Sequence, residues 1–308
     1  MVPRREFSLE QALNQRVLML NASPVNPAWT KLPAAAWGGT RFQGPPNLNV
    51  TCPDLVLEWN IELRNAGTDV LETRSLGADP FTAEEYGADR FLRDRWNRMA
   101  VSITCQAASG QNFMIGAVGQ SPDLLSMEHR HSFEEHVAAF AEQIRDLWTA
   151  GIDAIHLAFY LDSQNLKAAL QGVAAVEHEL GCRIPTMITF DLNHDGTILS
   201  GERPEALWGM LRAYRPIALG LATYGYGQDT VRRLREITDI PIGLLLDPFP
   251  YAPPSMTENR PIEWMAECLG PLLDERLLSF CGLSCTVPSI EYVKTVAGLI
   301  RPPACIRR

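Results

Sequence analysis

The stretch "SFEEHVAAFAEQIRDLWTAGIDAIHLAFY", residues 132–160, sets how the rest of the chain is read. Phe133, Val137, Phe140, Ile144 and Leu147 recur at helical spacing. Ser132 and Glu135 have the spacing of a capping box, in which each side chain satisfies a backbone N–H at the helix start. Gly151 stands where a left-handed residue closes a helix. The nine residues that follow, "IDAIHLAFY", are almost continuously apolar. A strand of that kind suits a parallel sheet covered on both faces, where neither side needs polar residues.

Outward from this unit the same alternation recurs. Apolar runs at 16–20, 68–73, 112–119, 152–160, 184–191, 216–222, 240–247 and 277–282 are each followed by a helical pattern, eight in all. Their spacing leaves room for right-handed crossovers. Eight such units in 308 residues predict one α/β domain spanning 1–308, a single (β/α)8 TIM barrel. An open doubly wound sheet is the alternative, but no Gly-x-Gly-x-x-Gly follows the first strand. Two long connections, 21–53 and 248–262, follow strands one and seven. In a barrel both fall on the C-terminal rim, where sites form.

Composition narrows the function. The chain is 46% hydrophobic and 20% charged, with a net charge of −9. A nucleic-acid partner is not expected of so acidic a chain. No run reaches the ~18 apolar residues of a membrane helix, and the start lacks a signal-peptide core, so a cytoplasmic location is expected. The seven cysteines show no paired spacing and read as reduced thiols.

Particular residues now carry a resemblance. "LRNAGTDVLETRSLGAD" (63–79), "AEQIRDLWTAGIDAIHLAFYLDSQNLKAAL" (141–170), "PTMITFDLNHDGTILSGE" (185–202) and "CGLSCTVPSIEYV" (281–293) resemble, in order, four segments of the homocysteine S-methyltransferase family. The resemblance runs from about residue 48 to 300, and more loosely from 16. It implies a barrel that transfers methyl groups. In the family, three cysteine thiolates hold a zinc ion that activates the acceptor thiol. Here "GLAT" puts Thr223 at the first of those positions, and Leu283 and Ser284 fall at the paired ones. The first strand ends in "MLNASP", without the family's acidic residue. Ala158 and Phe159 stand at its fourth-strand "ET".

These departures imply a changed substrate and no metal site. Neither a bound cofactor nor a metal is expected; methylcobalamin or folate carried by a corrinoid-type or other partner is left open. A small-molecule substrate is expected, and a homo-oligomer is open as well. The alternative is a barrel without catalysis, serving as a binding or structural subunit, its mouth plugged by Leu283, Phe159 and Met19. Schiff-base chemistry is disfavoured, because Lys31, Lys167 and Lys294 all fall in loop or helix patterns.

The residues expected to bind substrate are Glu72, Asp191, Thr223, Tyr224, Asp247 and Ser284, all near strand ends. No catalytic residue is assigned. Glu72 could instead pair with Arg74, and Tyr224 with Tyr226 could be rim packing. His194 and Asp195 read as an Asp-Gly turn, and His156 as a core histidine. Cys281 and Cys285 are expected on a strand-to-helix turn, either as a shifted thiol site or as packing residues. Thr223 and Ser284 are expected to offer hydroxyls across the mouth.

Overall fold

The computed structural model describes residues 6–37, 44–127, 129–248, 261–286 and 289–301. Its sheet contains β1 (Leu18–Met19), β2 (Ala22–Val25), β3 (Val70–Glu72), β4 (Phe113–Gly119), β5 (Ala154–Tyr160), β6 (Thr186–Asp191), β7 (Ala218–Thr223), β8 (Ile242–Leu246) and β9 (Phe280–Thr286). The order is β1-β9-β8-β7-β6-β5-β4-β3, with every pairing parallel. A bridge from Leu20 to Val70 joins the two ends of that order and closes the barrel. β1 and β2 both run along β9 and form one bent first strand. The structure is therefore the expected (β/α)8 barrel rather than an open sheet.

Helices follow the strands as the apolar periodicity requires. The one over Phe133–Thr149 starts with the Ser132–Glu135 capping box, and the one over Ser163–Leu180 ends at Gly181 in the left-handed region. A further helix, Leu9–Gln15, precedes β1. Its Leu9, Ala12 and Leu13 pack with interior side chains such as Leu18 and Phe113. Among the described residues, no helix is long and apolar enough to cross a membrane.

Strand alternation sorts the two layers. Leu20, Val70, Ile115, Ala154, Met187 and Phe280 pack together in the barrel interior. Ile155, Ile188, Leu221, Leu244, Cys281 and Leu283 belong to the second cluster, packed under the helices. Glycines make room where interior side chains are large. A Cβ on Gly243 would stand 2.3 Å from the Phe280 ring.

One expectation is corrected. "CGLSCT" is all of β9 after Phe280, not a turn between strand and helix. The strand is prolonged because Asn21 and β2 hold its far edge. Asn21 Oδ1 accepts from Leu283 N–H at 3.1 Å, and Ala22 lies in register with Ser284. The next helix begins only at Ile290. The first strand runs on to Val25, into the connection expected over 21–53; the rest of that connection leaves its C-terminal end, and loop 248–262 leaves that of β8, so both start on one rim. Residues 38–43 and 249–260 of these loops lie outside the described residues.

Candidate active site

The upper interior of the barrel is polar. Two rungs above Val70, Ala154 and Met187 stand Glu72, His156 and Thr189, on strands that pair in the order β3-β4-β5-β6. Glu72 Oε1 is hydrogen-bonded to His156 Nδ1, and His156 Nε2 lies 2.6 Å from Thr189 Oγ1. The side chains of Glu72 and His156 are fully buried. Glu72 was expected on the open rim; it is instead bonded to this histidine inside the barrel. Arg74 continues past Glu72, stacks its guanidinium 4.2 Å from the Trp29 ring centroid, and is also buried. Burial lowers the Arg74 pKa to about 9, against the pull of nearby Glu72.

Asp191 ends β6 on the same face as Thr189 and opens into a cavity of about 690 Å³. Leu161, Leu192, His194, Tyr224, Tyr226 and Trp264 form most of its wall. The aromatic rings hold one another: His194 and Tyr226 centroids are 5.4 Å apart, and Tyr224 and Tyr226 6.4 Å. Tyr226 also donates its hydroxyl to Leu192 O at 3.0 Å. Trp264 lies flush on the backbone at Gly225, where a Cβ would come within 2.3 Å of the indole. Gly225 is needed twice, since its φ is +105°.

Among the described residues, no hydrogen bond reaches the Asp191 carboxyl. Burial alone raises its pKa from 3.8 to about 6. The sign of the stability effect follows. The folded protein binds a proton more tightly than the unfolded chain, so stability falls as pH rises from about 4 to about 6, and stays lower above that. The full shift corresponds to about 3 kcal/mol, and partial exposure to the cavity reduces it to about 1–3 kcal/mol. Asp191→Asn should therefore raise stability by that amount at about pH 7.5 and flatten its dependence between pH 4 and 6. Urea denaturation at several pH values measures both; an unchanged slope would place the carboxyl in water.

The other expected residues lie elsewhere. Thr223 is buried, and its hydroxyl is used by its own turn. It accepts from Gly225 N at 3.1 Å and Tyr226 N at 3.0 Å, and donates to Tyr226 O. It thus shapes the aromatic wall rather than facing the barrel mouth. Ser284 is 2% exposed on β9. Asp247 follows β8 and gives its N–H to Thr223 O at 2.9 Å. Of the six, only Asp191 and Tyr224 line the cavity. Asp195 makes the expected turn, accepting from Thr197 N at 3.0 Å. Leu283 and Met19 face the helix layer, not the mouth. Phe159 alone of the three packs against the interior cluster.

Sequence reading missed Trp264, Leu161 and Leu199 on the cavity wall. The "YGYG" run offered a signal for the first, since paired glycines in a rim turn mark a close approach.

A sequence profile described as homocysteine S-methyltransferase matches residues 13–288. The chain belongs to this family. Two solved structures of a homocysteine methyltransferase from Escherichia coli, MmuM, share its fold. The metallated form has a TM-score of 0.70 at 16% identity, covering 94% of this chain and 99% of that one. The oxidized form gives 0.72 at 16% identity, with 93% and 97% covered.

The zinc site that the family implies can be tested against the residues present. Thr223 has its hydroxyl committed to a turn, Leu283 is apolar and turned to the helices, and Ser284 is a hydroxyl. Cys281 sits lower on β9, on the helix-facing side, where burial and then Asp69 push its thiol up to about 12. A thiol so hard to ionise is a poor metal ligand at neutral pH. The side chain of Cys285 lies outside the described residues. Among those described, no three His, Cys, Asp or Glu side chains are grouped to hold a metal. The residues at the family positions do not fit a thiolate zinc site.

Proposed function

We propose that this chain is a methyl-transfer enzyme that acts on a substrate other than homocysteine and takes its methyl group from a cationic centre, a sulfonium or a quaternary ammonium. The observation that carries this reading is the cavity above β6 and β7. Aromatic rings face it, and its carboxyl has no other cation to pair with among the described residues. Aromatic faces attract a diffuse cation, and a nearby carboxylate adds to that attraction. A methyl group on such a centre leaves readily, because the bonding pair departs with a neutral sulfide or amine. Family membership supports the reaction class; the replacement of the thiolate positions supports a changed acceptor. A corrinoid or folate carrier on a partner remains a second source for the methyl group, and the cavity supports it less directly. The open cavity also speaks for an enzyme over a plugged, purely structural barrel.

Trimethylsulfonium is the probe. Calorimetry at about pH 7.5 should show one site per chain, with neutral dimethyl sulfoxide at least about tenfold weaker. Affinity should fall below about pH 6, as Asp191 takes up its proton, and Asp191→Asn should lower it about tenfold. Homocysteine should give no heat. Equal binding of the neutral probe, or tight binding of homocysteine, would overturn the reading.

A further inference from the structure

The family's zinc lowers the acceptor's proton affinity, and the residues here do not fit that metal. Some other group must then take the acceptor's proton. Directly under the mouth lies a carboxylate, an imidazole and a hydroxyl joined in one chain: Glu72 to His156 Nδ1, His156 Nε2 to Thr189 Oγ1. The interior positions around and above it on β4, β5 and β7 are small: Ala117, Ala158, Gly220 and Ala222. Gly220 is a requirement of the chain itself, since a Cβ there would stand 2.6 Å from Thr189 Oγ1.

The large side chain placed over His156 is Phe159. Its ring stands edge-on to the imidazole, with centroids 6.3 Å apart, and it is partly buried against the interior cluster. Its backbone has φ +59°, a left-handed conformation in a bulky residue, at the point where the β5–β6 register shifts. Such conformations persist only where the surroundings impose them, and they gather at functional sites. The bulge turns Phe159 back over the interior; a regular strand would have carried it outward.

We propose that Glu72, His156 and Thr189 form the proton-accepting chain of this site, covered by Phe159, and that the acceptor is a hydroxyl or amine rather than a thiol. The proposal rests on the methyl-transfer reading above. In the step, the acceptor's lone pair forms a bond to the methyl carbon, and the C–S or C–N pair leaves with the neutral sulfide or amine. The acceptor's proton passes to Thr189 Oγ1 as Thr189 passes its own to His156 Nε2. Glu72 takes no proton; it is a positioning residue that fixes the ring and faces the imidazolium formed. Carboxylates behind a histidine fix its tautomer and ring orientation in this way. Thr189 is the group that would touch the acceptor.

Diethyl pyrocarbonate, which acylates an accessible neutral imidazole, reads this without a known substrate. Exposed His194 is the internal reference, with peptide mass mapping as the readout. In the native protein His156 should react slowly. In Phe159→Gly it should react at least about tenfold faster relative to His194, and Glu72→Gln in that background should slow it several-fold. Phe159→Asn, which also tolerates positive φ, is the second variant should the glycine fail to fold. An unreactive His156 in a cooperatively melting Phe159 variant would show that no route joins the mouth to the chain. Reactivity indifferent to Glu72 would reduce the carboxylate to packing. Trimethylsulfonium binding decides separately: retained binding with an unreachable His156 defeats the chain alone, and a reachable His156 without binding defeats the cavity reading alone.

Discussion

Glu72→Leu is expected to lower stability by about 3–5 kcal/mol, measured by urea denaturation at neutral pH, because it strands His156 in the barrel. Both side chains of this pair are fully buried. A lone imidazole there keeps one polar nitrogen against the leucine that replaces its partner, and a buried polar group left unmet in this way is costly. The same argument predicts a rescue. Glu72→Leu with His156→Leu removes both polar groups and fills the interior, so the double variant should recover most of the loss. It should still lack function, whereas the melt alone would rate it sound. A single substitution costing under about 1 kcal/mol would mean that the interior admits water. A double variant no better than the single one would mean that the cost lies with buried Arg74, which loses the same carboxylate, or with walls at Thr189 and Gly220 that cannot repack around leucine.

Gly282→Ala is expected to be worse, with little folded protein recovered and a cost above about 4 kcal/mol in any fraction that folds. The added Cβ would stand 1.8 Å from Leu20 O, which is backbone and cannot rotate away. Either the first strand or β9 must then move, and both are tied through Asn21 to Leu283 N–H. Gly298→Ala is the control. It lies within the helix Ile290–Ile300 with nothing within 4 Å of its would-be Cβ. There alanine should stabilise by about 0.5–1 kcal/mol, from helix propensity alone. Soluble, native-melting Gly282→Ala would show that the seam between β1 and β9 is looser than its packing.

What the chain disclosed before its structure was seen is what local pattern encodes. Period and continuity of apolar residues located every strand of the barrel except β2, whose "ASPV" fell in the connection expected over 21–53, because a parallel strand buried on both faces has no other way to be written. The capping box at Ser132 and the closing glycines are equally local. Two of the misreadings involve distant partners. Cys281 to Cys285 looked like a turn because the hydrogen bonds that extend β9 come from Asn21 and β2, near the other end of the chain. His156 read as an ordinary core residue, and buried it is, but Glu72 lies 84 residues away. Thr223 looked like a ligand-facing hydroxyl because its strand register against the interior was unknown; one step of alternation turned it outward. Phe159 gave no sign of positive φ, since nothing in "AFYL" marks a bulge. The helix at Leu9–Gln15 was not read from the sequence, although Ser8 and Gln11 form a capping box at its start.

The seam that closes the barrel also orders its birth. β1 pairs along β9, and the Asn21–Leu283 bond spans 262 positions of the chain. As the protein leaves the ribosome, β3 through β8 can zip together in succession, each against the strand just made. The first strand must wait for its principal neighbour until Phe280 emerges. Until then the nascent sheet carries open edges at β8 and at the first strand, of the kind that pair with other chains. Slow, long-range closure of this sort is the costliest step for folding rate. A chain cut short before residue 280 would thus keep every strand but β9 and be left as an aggregation-prone open sheet.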